Sequence, residues 1–168
     1  AKDMYIVVKD GAENASEALK IDIEGAPSIE NGGLYITEIF PNDVSRSGVY
    51  GNSDDHMEYV ELTNTTDVAI PFNEEYELDY EYPSSGNYVF KKLTVATVDG
   101  ESSVVIGPGE TVIFWDRRDD VDNHATEAEF RDCWLIPDNV KIFIVSGQNG
   151  FAADDRGFAV KRQSTNEI

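Results

Sequence analysis

The chain has 168 residues, 33 acidic against 13 basic, a net charge of −20, and 40% hydrophobic and 11% aromatic residues. That length suits one domain with an arm, and the apolar content is enough for a packed core, which excludes a disordered tail. So negative a field repels the phosphate backbone that DNA and RNA binders must neutralise, excluding nucleic acid as a partner and favouring cationic partners or a hard ion such as calcium.

Runs rich in β-branched and aromatic residues predict strands over 4–8, 19–23, 34–40, 57–63, 77–82, 88–97, 103–106, 111–115, 140–145 and 157–161. Turn residues separate them, as in Pro41-Asn42-Asp43, Pro83-Ser84-Ser85-Gly86-Asn87 and Gly107-Pro108-Gly109. Glycine and proline fill the gaps and hardly interrupt the runs, the pattern of antiparallel strands joined by hairpins and loops. The expectation is an all-β sandwich or barrel. Short helices are predicted over 12–19 and over 126–133, the second opening on Thr126 as a cap followed by the early acids Glu127 and Glu129. Residues 1–33, ending in Asn31-Gly32-Gly33, read as an N-terminal arm or linker or as an edge strand, and 34–168 as the sandwich domain.

No apolar run reaches the roughly 18 residues that span a bilayer, so no membrane insertion is expected within this chain. The start at Ala1 reads as a processed product or a fragment. Cys133 is the lone cysteine and the histidines are His56 and His124, which leaves no disulfide framework and no zinc ligand set. Cys133 reads as a small buried hydrophobe.

Either histidine is a general base on paper, but neither stands in a catalytic motif, so both read as loop histidines, no catalytic residue is assigned, and no enzyme is expected unless one of them proves buried beside carboxylates with a cleft over it. The most site-like polar stretch is 116–123, where Asp119, Asp120 and Asp122 offer oxygen ligands to calcium, the one cofactor the chain suggests. Its register is not that of an EF-hand, since Ala125 and Arg131 stand where glycine and glutamate belong. Tyr76, Tyr80, Tyr82, Trp115 and Trp134 are candidates for a carbohydrate platform, against the reading that strand aromatics are core. In the acidic stretch 74–81, Tyr76, Leu78 and Tyr80 alternate with Glu75, Glu77, Asp79 and Glu81, which predicts a strand with one solvated face.

The segment Leu34-Tyr35-Ile36-Thr37-Glu38-Ile39-Phe40-Pro41-Asn42, followed by Met57-Glu58-Tyr59-Val60-Glu61-Leu62-Thr63-Asn64-Thr65-Thr66-Asp67, resembles the lamin tail domain family. Tyr76 and Leu78, the turn Gly107-Pro108-Gly109 with its following strand, and Asp155-Arg156-Gly157-Phe158-Ala159-Val160 extend the resemblance over about residues 34–162. It implies an immunoglobulin-like β-sandwich, with Asn64 shaping a turn and Glu38, Glu58 and Glu61 as surface or turn-supporting positions rather than a catalytic trio. Departures are Phe72-Asn73 in place of a frequent glycine and an enlarged loop over 116–139.

The resemblance implies a non-catalytic interaction or adhesion module of an extracellular or cell-surface protein, with a protein or cell-surface polymer as partner. The alternatives are an accessory domain positioning a hydrolase or nuclease in the same parent chain, and a carbohydrate- or calcium-binding sandwich.

Overall fold

The computed structural model describes residues 4–6, 19–21, 32–41, 56–118, 124–148, 150–152 and 155–165. The chain divides into two compact units, Ala1–Glu30 and Asn31–Ile168. In the first, strand β1 (Met4–Ile6) pairs antiparallel with β2 (Leu19–Ile21), with Met4 opposite Ile21. Residues 12–18 of the predicted first helix lie outside the described residues, and Leu19 belongs to β2.

The second unit runs β3 (Leu34–Phe40), β4 (Tyr59–Asn64), β5 (Ile70–Pro71), α1 (Phe72–Glu75), β6 (Tyr76–Ser84), β7 (Asn87–Lys92), β8 (Thr94–Thr97), β9 (Val105–Ile106), β10 (Thr111–Asp116), α2 (Glu127–Trp134), β11 (Ile142–Ser146) and β12 (Gly157–Arg162). A five-stranded sheet in the order β3-β4-β10-β11-β8 faces a three-stranded sheet in the order β12-β6-β7, with β5 and β9 as a small separate pair. Two layers of strands enclose a core that includes Val60, Leu62, Leu78, Tyr80, Val112, Phe114 and Phe143, so the unit is a mostly antiparallel all-β sandwich.

A second core lies on the opposite face of the larger sheet, where Tyr59, Ile113, Trp115 and Ile144 pack under Phe130 of α2. The middle strands are therefore covered on both faces, and they read as unbroken apolar runs, Val112–Trp115 and Ile142–Val145. These two strands, β10 and β11, pair in parallel, Trp115 opposite Ile144. Parallel neighbours need a long crossover, which corrects the purely antiparallel expectation and gives the enlarged loop over 116–139 its purpose: it holds α2. The helix starts as its sequence predicts, with Thr126 Oγ1 accepting from the Glu129 N–H and the Glu129 carboxylate accepting from the Thr126 N–H, a capping box.

The predicted strand over 88–97 is two strands in different sheets. The chain crosses at Leu93, which is buried and donates its N–H to the Leu78 carbonyl at 2.9 Å. Positions 89, 91, 93 and 95 keep one parity through the crossing, so alternation alone cannot reveal it. At the tip of the β6–β7 hairpin, Ser85 and Gly86 both take positive φ (52° and 82°), the two-residue turn whose twist suits a hairpin. Gly32 and Gly33 are a close backbone contact rather than loose punctuation: Gly33 exchanges bonds with Thr65, and a Cβ on Gly32 would lie 2.6 Å from the Thr65 carbonyl oxygen. Among the described residues no helix is long and apolar enough to cross a membrane.

Candidate functional site

Four polar side chains are buried where β4 begins and β10 ends: His56, Glu58, Asp116 and Arg118. Both carboxylates hold backbone. Glu58 Oε2 accepts from the Phe151 N–H, while Asp116 Oδ2 accepts from Gly150 N–H at 3.1 Å and Asp116 Oδ1 from Arg118 N–H at 3.4 Å. The His56 ring has no exposed surface, and its carbonyl accepts from the Trp115 indole at 2.7 Å. Burial closes that ring to a substrate in solution, and the loop reading of His56 is corrected to an interior one. His124 is half-buried at the approach to α2. Asp119, Asp120 and Asp122 lie outside the described residues, and among those described no His, Cys, Asp and Glu gather as a metal-holding group.

Glu58 supports a turn, as expected, but it is not a surface residue. The signal was parity: Glu58 shares it with Val60 and Leu62, both inward, whereas Glu61 shares it with Tyr59 and Thr63 on the outer face. Asn64 does its predicted job. Its Oδ1 accepts from the Thr66 N–H at 2.9 Å and its amide donates to the carbonyls of Val68, Ile106 and Gly107, so the buried side chain is spent on the turn. The aromatic platform does not form from the five rings named for it, because Tyr76, Tyr80 and Trp115 are buried and Tyr82 and Trp134 are half-buried.

The outer face of the larger sheet carries a cleft of about 190 Å³ between β3–β4 and the end of α2. It is lined by Glu38, Tyr59, Glu61, Thr111 and Ile113 of the sheet and by Trp134 and Ile136 at and after the end of α2. A bulge shapes this lining. Ile36 pairs with Leu62, but Glu38 pairs with Glu61, so one extra residue at Thr37 turns Glu38 from the inward parity of Ile36 onto the outer face.

Two carboxylates then stand directly opposite on adjacent strands, an arrangement that repels. Thr37 Oγ1 donates to Glu61 Oε1 at 2.7 Å, and the Tyr59 hydroxyl bonds to Glu38. Burial, that bond and the field of both glutamates push the Tyr59 hydroxyl well above its usual range, so it stays protonated and donating. Among the described residues no cation pairs with either glutamate.

The outer face of the smaller sheet is acidic too, with Glu77, Asp79 and Glu81 in one row on β6. Here cations are built in: Lys92 Nζ lies 2.8 Å from Glu77 Oε2 and Lys161 Nζ 3.5 Å from Glu77 Oε1. The bond from Lys92 holds the Glu77 carboxyl below the usual range. Asp79, expected in solvent, is only 3% exposed, and its Oδ1 has no hydrogen-bond partner. Burial, reinforced by the Glu77 charge, pushes its carboxyl upward, against the opposing pull of Lys161 and Lys92. The half-buried face of β6 thus hides one acid that alternation placed outside.

No protein-family model matches the chain. No curated protein matches it either.

Proposed function

We propose that this chain is a non-catalytic interaction module that binds a cationic partner through the outer face of its larger sheet. The observation that carries the reading is the Glu38–Glu61 pair, two opposed carboxylates lining a cleft with no cation among the described residues to offset them. The interior carboxylates accept backbone N–H groups and the histidine ring is fully buried, which favours surface complementarity as the working principle. The −20 charge adds long-range attraction for a basic partner.

The motifs at 34–42 and 57–67 resemble the lamin tail domain family. On that resemblance the sandwich is immunoglobulin-like, and the module works outside the cell or on its surface, on a protein or a surface polymer.

The test is a set of basic, neutral and acidic peptides of equal length, read by interferometry over a salt series, beside hydrolase and nuclease assays of the chain and of His56→Ala. Binding confined to basic peptides and weakening with salt is expected. Equal binding of acidic peptides, or turnover lost in His56→Ala, overturns the reading.

A further inference from the structure

We infer that the cleft on the larger sheet is a pocket for one lysine or arginine side chain presented by a partner polypeptide, an inference that rests on the cationic-partner reading above. The cation sits between the Glu38 and Glu61 carboxylates, and its aliphatic stem lies along Trp134, Ile136 and Ile113. Three features of the site converge on that occupant.

The bulge at Thr37 is the first. In an unbroken ladder Thr37 would oppose Glu61 and Glu38 would turn with Ile36 toward the core; the shift instead delivers Glu38 to the outer face beside Glu61. Bulges that re-aim a side chain recur next to binding sites. Here the cost is a like-charge pair on facing positions, which a bound cation turns into an attraction.

The second is the lining. Calcium takes six to eight oxygen ligands, whereas beyond the two glutamates and the Tyr59 and Thr111 hydroxyls this lining is indole and aliphatic carbon. The Trp134 N–H is already given to the Met57 carbonyl at 3.0 Å, so the indole offers its apolar surface. A charge that brings its own hydrocarbon stem matches this lining, as lysine and arginine do.

The third is the rim. Leu135, also on the cleft, is 86% exposed and takes φ 56°, a left-handed conformation that bulky side chains avoid. Its N–H donates to the Arg131 carbonyl, and Arg131 ties down the carbonyls of Pro137 and Val140 at 3.0 and 3.1 Å. The turn therefore holds an apolar side chain out in water at the cleft mouth, where a partner's backbone would cover it.

The test is amide chemical-shift mapping on the ¹⁵N-labelled chain with four probes: N-acetyl-arginine amide, N-acetyl-lysine amide, N-acetyl-norleucine amide and calcium chloride. Saturable shifts centred on Glu38, Glu61 and Leu135 are expected with the two basic probes alone, weakened at least fivefold in Glu38→Gln and in Glu61→Gln. Glutamine keeps an acceptor for the Tyr59 and Thr37 hydroxyls, so these variants remove charge without removing those bonds. Non-saturating shifts scattered over the acidic surface, equal binding of norleucine amide, or calcium shifting the same amides would each overturn the pocket. If basic peptides bind the chain while both glutamine variants bind them unchanged, the pocket fails and with it the assignment to this face, and only the attraction of the chain for cationic partners stands. If basic peptides do not bind at all, both fail.

Discussion

The two sheets each present an acidic outer face, and they treat that acidity in opposite ways. On the smaller sheet Glu77 is clasped by Lys92 and Lys161 from the strands on either side, so the charge is offset within the fold. On the larger sheet Glu38 and Glu61 oppose each other across β3 and β4 with hydroxyl donors beside them and no cation among the described residues. Net charge cannot distinguish these faces; the distribution of counter-charge can. On the reading proposed above, the carboxylate pair with no cation among the described residues takes its cation from a partner, whereas the clasped glutamate contributes to stability.

The largest expected effect comes from removing the support of one face only. Phe130 is fully buried, stacked on Trp115 with ring centroids 4.4 Å apart and set edge-on to Tyr59 at 6.1 Å. Phe130→Ala should cost about 3–5 kcal/mol by guanidinium unfolding, the usual range for a buried phenylalanine. Under conditions where the variant remains folded it should lose the basic-probe shifts at Glu38 and Glu61, while the Lys92 and Lys161 side-chain signals on the other face keep their positions. Equal disturbance of both faces would show that they are not independent.

Most of this architecture is legible in the sequence because strand runs and turns are local. The Thr126-to-Glu129 spacing announces α2, and Ser85-Gly86 announces its hairpin. Pairing partners are not local. That β10 lies parallel to β11, or that the chain changes sheets at Leu93, depends on residues distant in sequence, and an in-phase alternation conceals the crossing. The cleft was hidden for a similar reason. Glu38 and Glu61 are visible as acids, but their opposition needs the Thr37 bulge, and an acid at the inward parity of Leu34 and Ile36 does not by itself distinguish a bulge from a buried carboxylate such as Glu58. Alternation puts Asp79 in solvent because it assigns a face and says nothing of how tightly neighbours on that face close over a short side chain.

Next in size are two changes on the clasped face, opposite in sign. Asp79 has its carboxyl pushed up by burial, so its ionisation opposes folding above the folded value and is without effect below the unfolded value near 3.8. Asp79→Asn should therefore stabilise at neutral pH, because it removes a buried charge while keeping the side chain's shape, and the gain should vanish in acid. Glu77 has its carboxyl held down by Lys92, so it contributes stability above the unfolded value near 4.5 and loses it as pH falls through the lowered folded value. Glu77→Gln should cost about 0.2–1 kcal/mol at neutral pH and nothing in strong acid. Urea midpoints across pH 2–8 check both, and parallel curves for the two variants would refute the assignment.

The smallest effect sharpens the comparison most. Glu61→Gln removes one of two charges that repel across β3 and β4, so it should stabilise the chain by a few tenths of a kcal/mol, where Glu77→Gln destabilises it. The gain should be greatest at low ionic strength and fade as salt screens the pair within about 10 Å at 0.1 M. Adding a saturating basic probe should reverse the order, because the ligand stabilises only the form that binds it. Melting curves at two salt concentrations, with and without the arginine amide, read all three effects. If Glu61→Gln melts below the parent chain at every salt concentration, the two glutamates are not in repulsion, and the contrast between the faces disappears with it.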